Sequence, residues 1–398
     1  MATATSTIID APGRRSDGTA GPDADSAGTG ADAGTGADAG TGADAGTGTD
    51  SGTGAGPGPG SGSGSGSDFA PLLREVKAAG LLRRRVDHYA KSIALNLVAV
   101  AAVWSAVVLV GGTGSWWVVA LALPAAVLGA RTAFIGHDAG HHQIAESRRT
   151  NRLIGLVHGN LLLGMGAGWW TDKHNRHHAN PNHVGKDPDV EVGALVWTQA
   201  QAVEREGFAR FLTRHQARLF FPMLLLEGLA LKVASLQELK RQEPRQRLVE
   251  GSLLVAHLAG YAALLLFAMP VWQAVVFALV HHALFGLHLG CAFAPNHKGM
   301  EMPEEGSRWG HLRRQVLTSR NVRGNPLTDW FLGGLNYQVE HHLFPSLPRP
   351  HLRLAQPLVR AHCRRLSIPY TETGLIDSYV QALSHMHSVG APLRSPAV

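Results

Sequence analysis

Cysteine is nearly absent: Cys291 and Cys363 are the only two among 398 residues, and neither has a thiol neighbour in sequence. That rules out a disulfide framework, a cysteine-rich zinc site and an iron–sulfur cluster, and it fits a reducing, cytoplasmic setting. Charge is scarce as well. Asp, Glu, Lys and Arg together make up 17% of the chain, against roughly 25% in soluble domains, and the shortfall points to lipid. The net charge of +6 comes with no interleaved basic and aromatic stripe, so nucleic acid is not an expected partner. In an apolar chain such an excess sets orientation or meets anionic lipid. No Gly-x-Gly-x-x-Gly loop is present to hold a dinucleotide. The first twenty residues lack an apolar core, so no cleavable signal peptide is expected.

Large apolar side chains are nearly missing over residues 1–67, where Gly-Thr-Gly-Ala-Asp-Ala repeats give way to Gly-Pro and Gly-Ser alternation. Such a segment cannot offset the entropy of ordering its backbone, so it reads as a disordered tail before a folded domain over 68–398. Residues 69–91 place Leu72, Leu73, Val76, Ala79 and Leu82 at helical spacing among basic residues. This predicts an amphipathic helix for the membrane interface, with a helix packed on the protein's own surface as the alternative.

Four apolar runs follow, Ser92–Val110, Trp116–Ile135, Leu248–Met269 and Val271–Phe293. Each is about long enough to span ~30 Å of hydrocarbon at ~1.5 Å per residue. They pair as two hairpins whose turns carry no Lys or Arg, while basic residues flank the outer ends. The expectation is an all-α integral membrane protein of four transmembrane helices, with both termini in the cytoplasm of a cell-membrane protein. Two further apolar stretches, Leu153–Trp170 and Leu219–Leu236, are broken by His158, Asn160, Glu227 and Lys232. They read as interfacial or half-buried helices, with a full extra span as the alternative, because one extra crossing would separate groups that need to share a side.

Those groups are three histidine clusters: His137-Asp-Ala-Gly-His141-His142, His174-Asn-Arg-His177-His178 and Gln338-Val-Glu-His341-His342. Residues three or four apart share a helix face, so His137 with His141, and His174 with His177 and His178, can each turn a set of imidazoles one way. The adjacent His341 and His342 point in different directions and could serve two metals. Imidazole offers a lone pair while staying neutral, which lets many of them crowd around redox metal ions. Asp138, Asp172 and Glu340 stand beside these ligands as acceptors for the second ring N–H, or else as plain helix-surface carboxylates.

The boxes H-x-x-x-H-H, H-x-x-H-H and Q-x-x-H-H, with two hairpins at these intervals, resemble the membrane-bound fatty acid desaturase superfamily over about residues 69–370. Gln338, in place of the first histidine of the third box, is similar to front-end desaturases and to some bacterial acyl desaturases. The resemblance implies a cytoplasmic helical cap holding two non-haem iron ions on His137, His141, His142, His174, His177, His178, His341 and His342. His297 would be a further ligand, and Asp138, Asp172, Gln338 and Glu340 would support them. It implies O2 as co-substrate and a fatty acyl chain, on coenzyme A, a carrier protein or a lipid, as substrate. No side-chain nucleophile or base is called for. The His-Pro-Gly-Gly haem signature of many front-end enzymes is absent, so electrons are expected from a separate ferredoxin or from an iron–sulfur or flavin reductase. A hydroxylase or ketolase of the same superfamily is the alternative activity, and a non-enzymatic membrane metal-binding protein the remote one.

Overall fold

The computed structural model describes residues 67–394, which belong to one unit. The low-complexity tail read over residues 1–67 lies, except for Ser67, outside the described residues. Fourteen α-helices occur among the described residues, and the only strands there are β1, Asn321–Val322, and β2, Glu372–Thr373, paired in parallel.

The residues read as one interfacial helix form two. α1, Phe69–Ala78, stops before Gly80, whose φ of +72° is open to glycine at little cost, and α2, Val86–Gly111, starts afresh. The apolar face of α1 is spent on the protein itself. Leu72 and Val76 are fully buried in a core shared with Leu352, Ala355 and Val359 of α13, Arg349–Arg365.

α2 turns back through a tight 3-10 segment at Trp116–Leu121 into α3, Ala122–Gly140; α8, Pro244–Ala268, turns at Pro270 into α9, Val271–His297. The two turns meet at one end of the bundle. Gln273 donates to the Ser115 carbonyl there, and Gly111 lies so close to Ala268 that an added Cβ would sit 2.6 Å from its carbonyl oxygen. Outward residues such as Leu95, Val98, Leu109, Val255 and Phe267 are 65–81% exposed, an apolar girdle of the kind that faces lipid.

Every predicted span is a helix, but the boundaries move: 86 rather than 92 at the start of the first, 140 and 297 rather than 135 and 293 at the ends of the second and fourth, and 244 rather than 248 at the start of the third. Hydropathy falls at His137 and His297, yet the backbone ladder runs on because these side chains turn inward rather than to water.

Leu153–Trp170 resolves into α4, Arg148–Gly155, a π-helical continuation at Leu156–Leu163, a break at Gly164, and the start of α5, Ala167–Ala179. After α6, Gln199–Val203, the stretch Leu219–Leu236 sits inside α7, Gly207–Glu238, a 32-residue helix. With α2, α3, α8 and α9 it makes five helices long and apolar enough to cross a membrane. α7 crosses α9 with backbones in contact. A Cβ on Gly228 would lie 2.7 Å from the His282 carbonyl oxygen, and one on Gly286 would lie 2.5 Å from the Gly228 nitrogen.

Four short or capping helices complete the chain besides α13: α10 His311–Leu317, α11 Pro326–Phe331, α12 Gln338–Leu343 and α14 Leu375–Val389. α12 is buried along its whole length.

Candidate metal centre

The inner ends of α3 and α9 meet α5 and α12 at one buried point. α3 brings His137 in its last turn and His141 just past its end; α5 brings His174, His177 and His178; α9 brings His297; α12 brings His341 and His342. Two groups form within this assembly. His137, His141, His174 and His341 have ligand atoms within 4.8 Å of one another, and so do His177, His297 and His342. His178 bridges them, with its ring stacked on His342 at 4.2 Å and 4.5 Å from His141. Adjacent residues on α12 thus point to different groups, His341 to the first and His342 to the second.

Six of these imidazoles carry buried ring nitrogens without a partner. Nε2 of His137, His141 and His342, Nδ1 of His174 and His178, and both nitrogens of His341 are buried and make no hydrogen bond. Orphaned buried polar atoms are costly, and six neutral imidazoles, each able to offer one lone pair, form a donor set that fits divalent transition metals. Burial, followed by repulsion among neighbouring imidazoles, pushes His141, His174, His178, His341 and His342 well below the ordinary histidine value. Their lone pairs are therefore free at neutral pH, as metal binding requires.

The outer nitrogens are held. Nδ1–H of His137 donates to Asp138 at 3.0 Å, that of His177 to Asp187 at 2.9 Å, that of His297 to the Thr318 carbonyl at 2.9 Å, and that of His342 to Gln315 at 3.0 Å. Each bond fixes a tautomer that leaves Nε2 as the inner donor. Asp138 is anchored in turn by Arg349 and the Tyr89 hydroxyl. Asp187, fully buried, also accepts from the Asn182 backbone. Asp189 beside it would be raised by burial, but Lys173 outweighs this and holds its carboxyl down. Trp170 stacks on His174 at 4.5 Å and packs near His137.

Three expected site residues stand elsewhere. His142 is exposed and adopts φ +55°, because α3 ends there with the His142 N–H bonded to the Ala139 carbonyl and the Gln143 N–H to that of Asp138. This left-handed helix stop swings the side chain away from the other eight histidines. Asp172 is exposed and pairs with Arg176 across one turn of α5. Glu340 is buried but accepts from Asn321 and Tyr370 rather than from a histidine, and burial pushes it up to about 7. Gln338 does reach the site, its Nε2 2.9 Å from Nε2 of His297. Sequence reasoning found no role for Asp187 and Asp189, and it missed Gln315 and Thr318, which carry no signal in sequence.

Beside His137 and Trp170 lies a cavity of about 460 Å³. Leu163, Met165, Leu231, Leu289 and Phe293 line it together with Gly136, Gly155 and Gly159, and Asp172, Gln246 and Glu250 are among its polar lining.

The profile of the fatty acid desaturase family matches residues 114–374, which includes every one of these histidines. The chain belongs to the fatty acid desaturase family. Among curated relatives of this chain, the Acyl-lipid (9-3)-desaturase of Physcomitrium patens is 30% identical over 266 residues, 64% of this chain and 50% of the relative. The Delta(8)-fatty-acid desaturase of Helianthus annuus is 29% identical over 351 residues, 82% of this chain and 74% of the relative. A Delta(6)-fatty-acid desaturase of Caenorhabditis elegans is 27% identical over 296 residues, 71% and 67% of the two chains. The chain thus spans between half and three quarters of the length of these relatives.

Proposed function

We propose that this chain is a membrane enzyme that uses O2 to desaturate a fatty acyl chain, placing a cis double bond between two neighbouring methylenes at a pair of histidine-held iron ions. The observation that carries this is the meeting of eight imidazoles, six of them with an unpartnered buried nitrogen, at the side of a largely apolar cavity. His137, His141, His174 and His341 would hold one ion, and His177, His297 and His342 the other, with His178 between. Iron held there would supply, from O2 and two electrons, the oxidising power to remove two hydrogens from carbons that no side-chain base can deprotonate, with both oxygen atoms leaving as water.

The protein's own part is positional. Asp138, Asp187, Gln315 and the Thr318 carbonyl keep the rings aimed, and Leu163, Leu231, Leu289 and Phe293 keep the chain's path free of water. Gln338 in the third box, and relatives named for Delta(8) and Delta(6) positions, support a front-end type. Electrons would come from a separate carrier, a ferredoxin or a flavin or iron–sulfur reductase.

The reading places the protein in the cell membrane with four crossings, both termini and the centre on the cytoplasmic side. Parity supports this. His137 at the end of α3 and His297 at the end of α9 share one centre, so an even number of crossings must separate them, and α8 with α9 already supplies two. α7 then enters without crossing.

The test is expression with a ferredoxin system in a host of known lipid content, followed by mass spectrometry with double-bond localisation. A new unsaturated acid that vanishes with His177→Ala and with His341→Ala is expected. A hydroxylated product alone, or full activity in protein stripped of iron, overturns the proposal.

A further inference from the structure

Between α2 and α3 lies a second cavity, of about 360 Å³, that shares no lining residue with the one beside the metal centre. Its α2 wall is a single helix face, since positions 88, 92, 95 and 99 recur every three or four residues. His88 and Ser92 stand at the end nearer the centre, and Leu95 and Ala99 follow along the span. α3 adds Arg131 and, one turn deeper, Leu128. From His88 to Ala99 is eleven residues, about 16 Å at the α-helical rise, close to half of the ~30 Å hydrocarbon thickness of a bilayer. Leu95 is exposed and belongs to the apolar girdle, so this groove opens sideways to lipid. Its polarity falls in the direction in which a phospholipid of the leaflet on the metal-centre side passes from head to chain.

The polar end carries more positive charge than the protein answers. Among the described residues Arg131 pairs with no carboxylate, and of its nitrogens only Nη1 is engaged, by the Trp330 carbonyl at 2.6 Å. Arg349 spends Nη2 on Asp138 and on the Phe134 carbonyl, and its Nη1 makes no hydrogen bond among the described residues. Asp138 is the one carboxylate in contact with either guanidinium, and it is shared with Tyr89 and His137. The Trp330 ring lies 5.2 Å from the Arg131 guanidinium, and α11 also presents Leu327 outward. An indole beside a cation in this position marks headgroup depth.

We propose that this groove binds one anionic phospholipid, with its phosphate between Arg131 and the free Nη1 of Arg349 and the start of one acyl chain over Leu95, Ala99 and Leu128. A zwitterionic head fits less well, because its own cation would face two guanidiniums answered by one carboxylate. No histidine of the metal centre lines the groove, so the lipid there is held and not desaturated. The site stands or falls whether or not the chain carries out the proposed reaction.

Full-length protein in neutral detergent is titrated with dioleoyl phosphatidylglycerol, with dioleoyl phosphatidylcholine and with glycerol 3-phosphate, and bound lipid is counted by native mass spectrometry. One phosphatidylglycerol is expected to bind at least about fivefold more tightly than phosphatidylcholine, the scale of one cation meeting an anionic head. Arg349 also anchors Asp138, so the test turns on Arg131. R131Q should erase the preference. R85Q removes a charge from the start of α2 but outside the groove lining, where Arg85 pairs with Asp87, and it should leave the preference intact. Ala99→Phe fills the apolar end and should weaken both lipids. It decides the question even where R131Q proves too unstable to purify. A preference that survives R131Q, an equal loss in R85Q, or unchanged phosphatidylglycerol binding in Ala99→Phe overturns the site. Displacement of the lipid by equimolar glycerol 3-phosphate does so too, since it would show a soluble-phosphate site with no use for the chain.

Discussion

His177 is held by a carboxylate that is itself tied down on every side. Asp187 accepts from the His177 ring, from the Asn182 N–H and from the Asp189 N–H, with no exposure to water. A charged acceptor makes the imidazole a stronger donor to metal and fixes its plane, and losing such a partner typically lowers metal affinity by about 10- to 100-fold. Asp187→Asn keeps the shape and removes the charge. The expected outcome is iron content that falls into that range when measured against a graded free-iron buffer, with the protein still folded. Asp172→Ala is the contrast. Its carboxylate meets only Arg176 on an exposed helix face, a pair worth about 0.3–0.5 kcal/mol, so iron content should not change. Unchanged iron in Asp187→Asn would mean that the ring needs no anchor there.

Helix packing is set by bare positions. At the crossing of α7 and α9, an added methyl on Gly286 would meet the Leu224 carbonyl oxygen at 2.6 Å and the Gly228 nitrogen at 2.5 Å. Backbone atoms cannot rotate aside as a side chain can, so the helices must part. Overpacking of this kind costs about 1–3 kcal/mol, and α9 carries His297. Gly286→Ala is expected to lower the melting temperature in detergent and to loosen the site half that contains His297. A melting curve indistinguishable from wild type would show that the two helices are free to slide. These glycines were invisible to a reading of apolar runs, which sees composition but not which backbones touch. The runs did place α2, α3, α8 and α9. They misjudged the ends at His137 and His297 because polarity toward a site looks the same in sequence as polarity toward water. The break at Gly80 was missed for the opposite reason: apolar spacing runs on across it. The boxes held seven of the eight histidines that meet, His297 came only from the resemblance, and spacing could not tell that His142 sits at a left-handed helix stop.

At the scale of the whole molecule, the proposed four-crossing topology puts the centre and both termini on one side. A cysteine at Thr113, in the turn after α2, should react with an impermeant thiol reagent from outside intact cells, and one at Ser388, in α14, only after lysis. Reactivity of both from the same side would break the four-crossing reading. The same clustering makes the fold dependent on acidity. Five of the histidines outside the spans, His141, His174, His178, His341 and His342, are driven well below their ordinary value by burial and by each other. In the unfolded chain they titrate near 6.5, so below that pH the unfolded state binds more protons than the folded one. Stability therefore rises with pH across this window and is lost as pH falls. Each histidine that stays neutral when folded and is protonated when unfolded removes about 1.4 kcal/mol per pH unit below 6.5. Iron bound to the folded state adds stability by mass action and competes with protons for the same nitrogens. Metal-free protein should therefore melt at progressively lower temperature from pH 7.5 to pH 5.5, and iron-loaded protein should resist until acid strips the metal. A metal-free melting temperature that stays level across that window would mean the imidazoles are not buried as a neutral cluster, and the centre as described would fall with it.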